Sequence, residues 1–407
     1  GMGNRLSRRD FVKVAGVSAA AMTAPTISFA QSDRDTLRFG WAISKTGPFT
    51  AGASSTQIPN YRLWVDDVNK AGGLMVDGRK KLIEVFEYDD RSQPEEAVRA
   101  IDRLVNQDKV DFLLPPWGTG MNMAVAPVFF RNKFPMIAPT FITERMPELV
   151  KRWDNVFALL QPNAPYGTAI VEVLQDMRKA GKINNRVAIV NVTDQGGIEL
   201  VKAARNAFAN TDFEIVHEAG YPIGTQDLTP IITAAQQSDP DVFLAFSYPP
   251  DSMGLTEAAR VRGFNPKVFY IGVGSALPIY RKRFAAATEG VMGPGGWNPE
   301  TPELQAYIER FQALNGGMPD QWVSYLCYSG LQALGEAIET VGTVDRPAII
   351  KVLQQETFDT ISGPLRFENN IARDAWLVGQ WQGETFWGVA PKDREGAQPI
   401  INKPNWS

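Results

Sequence analysis

Val110-Asp111-Phe112-Leu113-Leu114 runs into Pro115-Pro116-Trp117-Gly118-Thr119-Gly120, and a helical pattern follows at about residues 123–132. A short, nearly continuous apolar run suits a parallel strand covered on both faces. The Pro/Gly loop ends that strand, and the helix carries the chain back for the next one. The same unit repeats outward in both directions. Upstream, a strand over 37–43 leads through a Gly/Thr/Ser-rich loop (44–56) into a helix over 59–71, stopped by Gly72-Gly73. A strand over 82–88 ends on Asp89-Asp90, and Ser92-Gln93-Pro94-Glu95 predicts a capping box opening the next helix. Downstream, a strand over 135–138 closes the first series. A second series opens at 187–192, with a helix over 198–209 and strands at 214–218, 242–246 and 268–271. Repeated strand–helix units imply parallel sheets with right-handed crossovers, here two doubly wound α/β lobes. The last quarter breaks the alternation. Its amphipathic helices and late strands cannot form a third core, so they are expected to return to the two lobes and cross between them.

At 407 residues, 44% hydrophobic and 21% charged, the chain is long enough for two cores. Its slightly negative mean hydropathy excludes a multispan membrane protein. One histidine, His217, and one cysteine, Cys327, leave no zinc cluster, no internal disulfide and few parts for nucleophilic catalysis. The net charge of −4 with scattered basic residues argues against nucleic acid. Arg79-Lys80-Lys81, the one dense basic run, reads as a solvated turn after Asp77-Gly78.

The first thirty residues read as an export signal: Ser7-Arg8-Arg9-Asp10-Phe11-Val12-Lys13, a weakly apolar run, then Ser28-Phe29-Ala30. The paired arginines resemble the twin-arginine signal.

In open parallel sheets, ligands sit outside the carboxyl ends of the strands. Four loops there offer hydroxyls, aromatic faces and helix N-termini: 44–50 with Phe49; 115–120 with Trp117, Gly118, Thr119 and Gly120; 139–143 with Thr140, Phe141 and Ile142; and 247–251 with Tyr248. Taken singly, each is ordinary turn chemistry; recurrence at several strand ends favours binding. Asp89-Asp90 points to opposite faces and reads as a turn-former rather than an acid/base pair. Neither His217 nor Cys327 sits in a catalytic pattern, there is no phosphate-binding loop, and no cofactor or metal is expected.

From residue 37 onward the chain resembles the leucine/isoleucine/valine-binding protein family, periplasmic receptors of branched-chain amino-acid ABC transporters. The matching pieces include Thr46-Gly47-Pro48, Val68-Asn69-Lys70-Ala71-Gly72-Gly73, Tyr88-Asp89-Asp90, Pro135-Met136-Ile137-Ala138-Pro139 and Arg260-Val261-Arg262-Gly263-Phe264. The resemblance implies a type I periplasmic-binding-protein fold with three hinge crossings, near 160–161, 290–293 and 362–363. Lobe 1 would then comprise residues 35–160 and 292–362, and lobe 2 residues 161–291 and 363–407. It also implies ligand carboxylate binding at Gly118-Thr119-Gly120, with Thr119 foremost, backbone donation from Thr140, and a pocket tyrosine at Tyr248.

Three positions depart from the family. Gly274 or Ser275 stands where an acidic residue should meet the ligand ammonium. Gly196, after Asp194-Gln195, replaces a tyrosine, and Gly52 replaces an aromatic. An ammonium buried without a partner is costly. Asp194 is the candidate replacement acid. The expected function is therefore an exported, periplasmic solute receptor of an ABC transporter, not an integral membrane protein and not an enzyme. It would capture an organic solute, an aromatic or short-chain carboxylate ahead of an amino acid, and pass it to permease subunits. A periplasmic sensor feeding a signalling system, and an exported hydrolase using Asp89 or Asp194, remain the alternatives.

Overall fold

A computed structural model describes residues 34–406, so the export-signal reading falls outside the described residues. The first series runs β1 (Thr36–Ile43), α1 (Thr50–Ser55), α2 (Gln57–Lys70), β2 (Leu74–Val76), β3 (Arg79–Asp89), α3 (Pro94–Asn106), β4 (Phe112–Leu114), α4 (Thr119–Arg131), β5 (Met136–Ala138), α5 (Met146–Arg152) and β6 (Val156–Ala158). The second runs α6 (Asn163–Lys179), β7 (Arg186–Val192), α7 (Gln195–Phe208), β8 (Glu214–Tyr221), α8 (Thr229–Gln237), β9 (Val242–Phe246), α9 (Pro249–Val261), β10 (Val268–Gly272), α10 (Pro278–Phe284) and β11 (Met292–Gly293). Then come α11 (Pro302–Asn315), α12 (Ser324–Val341), α13 (Arg346–Gln355), β12 (Thr357–Thr360), β13 (Gly363–Arg366), β14 (Val378–Gln382) and β15 (Thr385–Ala390).

The strands form two main sheets, ordered β2-β3-β1-β4 and β15-β14-β11-β10-β9-β7-β8. β1, β3 and β4 are mutually parallel, as are β8, β7, β9, β10 and β11. The inner strands β4, β9 and β10 are apolar and buried throughout, as strands roofed by helices on both faces require, whereas the edge strand β8 is mostly exposed or half-buried. Parallelism also decides where the site lies: the parallel strands of a lobe end on the same side, so the loops after β1, β4 and β5 gather together, as do those after β7, β9 and β10.

Two of the expected lobe boundaries, at 292 and at 362–363, are shifted. Met292–Gly293 pairs with Tyr270 and with β14, so it belongs to the second sheet, and the chain crosses after it. The β12–β13 hairpin stays on the first-lobe side: Phe367 packs on Phe157, and Ile371 bridges Ala158. The third crossing therefore follows Ile371, beyond the expected division at 362–363.

Three local expectations are corrected. The loop over 44–56 contains a short helix, α1. The capping box fails because Ser92 has φ 59°, outside the extended backbone of an N-cap; its hydroxyl instead donates to the Thr46 carbonyl at 2.8 Å, and Gln93 precedes the helix. The basic run is not a solvated turn. It starts β3, paired antiparallel with β2, and Lys81 is fully buried with its ammonium 3.2 Å from Asp77.

Asp320, fully buried ahead of α12, accepts the Trp322 and Val323 N–H groups at 2.8 and 2.9 Å and the Ser324 hydroxyl. Burial outweighs these bonds and pushes its carboxyl up to about 6 from 3.8. Between those values the folded chain holds a proton that the unfolded chain has released, so this group's contribution to stability falls as pH rises. Asp320→Asn keeps an acceptor and removes the titration. Urea unfolding should show the variant gaining on the parent by on the order of 1–2 kcal/mol between about pH 4 and pH 6. A difference independent of pH would contradict the assignment.

Candidate functional site

The loop after β4 is held by buried polar groups. The Gln57 amide donates to the Pro115 and Pro116 carbonyls, both at 3.0 Å, and to the Tyr61 hydroxyl at 2.8 Å. Its oxygen accepts the Thr140 hydroxyl at 2.6 Å, and that hydroxyl accepts the Gly118 N–H at 2.9 Å. Asn122 adds bonds to the Pro116 and Gly118 carbonyls at 3.0 and 2.8 Å. The loop is thus rigid before any ligand arrives, which limits the ordering cost of binding. Gly118 has φ 100° and ψ 150°, a backbone shape reserved for glycine, and it lets α4 start without a side-chain cap. The first-turn N–H groups of α4 consequently carry the positive end of the helix dipole into the cleft.

Thr119 differs from its expected role. Its hydroxyl donates to the Ile142 carbonyl at 2.9 Å and accepts the Ile142 N–H at 3.2 Å, stapling two loops together. Its proton is already used, so any donation to a ligand falls to the backbone. Thr140, likewise, spends its hydroxyl on Gln57.

From the second lobe, Asp194 caps α7 by accepting the Gly197 N–H at 3.0 Å, and the Tyr248 hydroxyl donates to its other oxygen. Burial raises the Asp194 carboxyl, with the Tyr248 hydrogen bond opposing the rise. Burial, reinforced by the Asp194 charge, holds the Tyr248 phenol well above its usual value. The phenol is therefore a donor to Asp194 at every physiological pH. Asp251 fixes the Tyr248 backbone, accepting its N–H at 2.9 Å and the Tyr221 hydroxyl at 2.5 Å.

The two halves meet around a pocket of about 440 Å³ of atom-free space, counting its mouth. Trp117, Gly118, Thr119, Thr140, Ile142 and Tyr248, all singled out from sequence, line it together. Phe49 leans on Trp117 and Tyr248, with ring centroids 5.5 and 5.7 Å apart, and Trp117 and Tyr248 sit 5.6 Å apart edge to face. Asp194 stands behind the Tyr248 hydroxyl. The remaining candidates do not line the pocket. Phe141 is in the first-lobe core, Gly120 lies within α4, and Gln195 is exposed on α7. Gly274 packs against Pro249, and the Ser275 hydroxyl bonds the Ile271 carbonyl at 2.5 Å.

Reading the sequence missed Val192, Leu200, Phe246, Val273 and Trp322 in the lining. Val192, Phe246 and Val273 flank the strand ends already noted and Leu200 lies on α7; Trp322 arrives from the late segment before α12, with no local signal. The indole N–H groups of Trp117 and Trp322 are both buried and meet no acceptor. Both residues line the pocket, and buried donors without an acceptor are exceptions that call for an explanation. His217 on the edge strand β8 and Cys327 buried in α12 are not among the lining residues. Asp89 and Asp90 are turn-formers: Asp89 accepts the Lys45 and Arg91 N–H groups at 3.0 and 2.8 Å, and Asp90 the Ser44 hydroxyl at 2.6 Å.

Outside the pocket the lobes are clasped twice through α7. The Thr143 hydroxyl donates to Glu199 at 3.0 Å, and Lys202 pairs with Glu144 at 3.1 Å. Because these contacts exist only when the lobes are together, they bias closure. Lys202→Ala should weaken binding of any ligand by about two- to fivefold, in line with ~0.2–1 kcal/mol for an exposed pair. The swap Glu144→Lys with Lys202→Glu should restore it in calorimetric titration. A swap no better than the single variants would show that the pair plays no part in closure.

The family model described as periplasmic binding protein matches residues 36–385. The leucine-specific-binding protein of Salmonella typhimurium is 22% identical over 390 residues, covering 95% of this chain and all of that one. A leucine-, isoleucine-, valine-, threonine- and alanine-binding protein of Pseudomonas aeruginosa is 23% identical, over 93% of this chain and 96% of its own. Among solved structures, a branched-chain amino acid binding protein of Streptococcus pneumoniae with isoleucine gives a TM-score of 0.75 at 19% identity, covering 85% and 96% of the two chains. A solute-binding protein of R. palustris with benzoate gives 0.74 at 18%, covering 86% and 94%. With two doubly wound lobes, three crossings and a pocket between them, the chain belongs to the periplasmic binding protein family, among the relatives of the Leu/Ile/Val-binding proteins.

Proposed function

We propose that this chain is the solute receptor of an ABC transporter, whose cargo is an organic carboxylate with an aromatic or short apolar body. The observation that carries this reading is the pair of orphaned indole donors of Trp117 and Trp322, set in one pocket with the uncapped first turn of α4. Such donors favour an anion, and the rings of Trp117, Tyr248 and Phe49 favour a flat apolar body. The pocket lining holds no Asp or Glu, so an α-ammonium would be buried without an acid beside it. Solved relatives of this fold hold isoleucine in one case and benzoate in another, so the architecture accommodates both chemistries. Binding is by closure, without turnover, and the closed complex is delivered to membrane permease subunits. Export by the twin-arginine-like leader completes the scheme.

Thermal-shift screening tests the cargo class. Benzoate, hydroxybenzoates and short-chain carboxylates should raise the melting temperature, by the equivalent of ~2.7 kcal/mol at a hundredfold excess over Kd. Leucine, isoleucine and valine should not. Stabilisation by those amino acids alone would sink the reading.

Trp322→Phe separates a ligand donor from a structural one. Deleting an unpaired donor should leave the ligand-free protein equally or more stable, while weakening carboxylate binding about five- to tenfold. Unchanged affinity would take Trp322 out of the site.

A further inference from the structure

The geometry points to the Tyr248–Asp194 pair as a charge mask that sets ligand specificity: the phenol covers a carboxylate that would otherwise recruit amine-bearing solutes. This deepens the cargo reading above and rests on it. Asp194 is not in the pocket lining, and the Tyr248 hydroxyl, which is part of a lining residue, reaches across to it. Gly196 makes that reach possible. A Cβ there would stand 2.9 Å from the Tyr248 oxygen, 3.8 Å from the Thr119 hydroxyl and 3.9 Å from Asp194 Oδ1. All three oxygens thus converge on one point beside the pocket, and the absence of a side chain at that point is what lets the phenol lie over the acid.

The mask has two effects. The phenol proton neutralises part of the Asp194 charge, so an incoming carboxylate meets less repulsion. It also fills the approach by which an ammonium would reach Asp194. With the proton committed, the Tyr248 oxygen offers only lone pairs to the pocket. The orphaned donors are then Trp117 and Trp322, and the pocket accepts anions there without offering an acid in return. Asp251, itself buried and bonded to Tyr221, keeps the Tyr248 backbone from swinging the ring away.

Tyr248→Phe removes the mask and keeps the ring that packs on Phe49 and Trp117. The probes are 3-phenylpropionate and L-phenylalanine, which differ only in the α-ammonium. In calorimetric titration the parent should prefer the acid, and the variant should shift the ratio of the two affinities toward the amino acid by about tenfold or more. Adding Asp194→Asn to the variant should abolish the shift, because the uncovered charge is gone. Gly196→Ala, which pushes a methyl group against the phenol oxygen, should shift the ratio in the same direction and serves if Tyr248→Phe is poorly folded. A ratio unchanged in both variants overturns the mask. If the parent binds neither probe but Tyr248→Phe gains L-phenylalanine through Asp194, the mask stands and the cargo reading falls.

Discussion

One buried amide organises the first half of the binding site. Gln57 at the start of α2 bonds two proline carbonyls, a tyrosine and a threonine, and so ties a helix to the loops after β4 and β5. Proline carbonyls cannot be satisfied by a neighbouring strand at that point, and an unpaired buried carbonyl is expensive. Gln57, joined by Tyr61 at Pro115 and Asn122 at Pro116, satisfies them and fixes the height of Trp117 and the entry of α4 together. The orientation of the indole and the dipole at the helix start both follow from that bond set.

Two glycines make room for aromatic rings around this frame. A side chain at Gly52 would collide with Trp117, whose ring atoms lie 2.5 Å from the virtual Cβ. A side chain at Gly196 would meet the Tyr248 phenol. In each case a glycine on a helix yields its volume to a ring rooted on a neighbouring loop. The pocket is aromatic, and its polar side-chain atoms are indole N–H groups and a phenol already in use.

The strands were legible because strands covered on both faces must be apolar without interruption, as at Phe112–Leu114, Val187–Val190 and Val242–Phe246. Helix starts were less so. α4 begins at Thr119, ahead of the expected residue 123, because Thr-Gly-Met-Asn carries no acidic or capping signal. α1 is invisible in Thr-Ala-Gly-Ala-Ser-Ser, where Thr, Gly and two Ser offset the helix preference of two Ala. Positions at strand ends could be named from the pattern alone. What each hydroxyl does could not: Thr119, Thr140 and Ser275 all spend their protons on the protein, and only three-dimensional neighbours decide that. Trp322 depends on a long return of the chain and has no local mark.

That return bears on how the molecule is made. The first lobe uses helices drawn from 302–355, and the second sheet is closed by β14 and β15, with Gly290 donating to the Trp381 carbonyl at 2.8 Å. Neither lobe therefore has its full set of elements until the ribosome has delivered almost the whole described chain. Contacts of such long sequence separation form late and slowly, since loop closure must precede their reward. The three crossings that permit opening and closing also make the two halves kinetically interdependent: a nascent chain stalled before α12 lacks elements of both lobes.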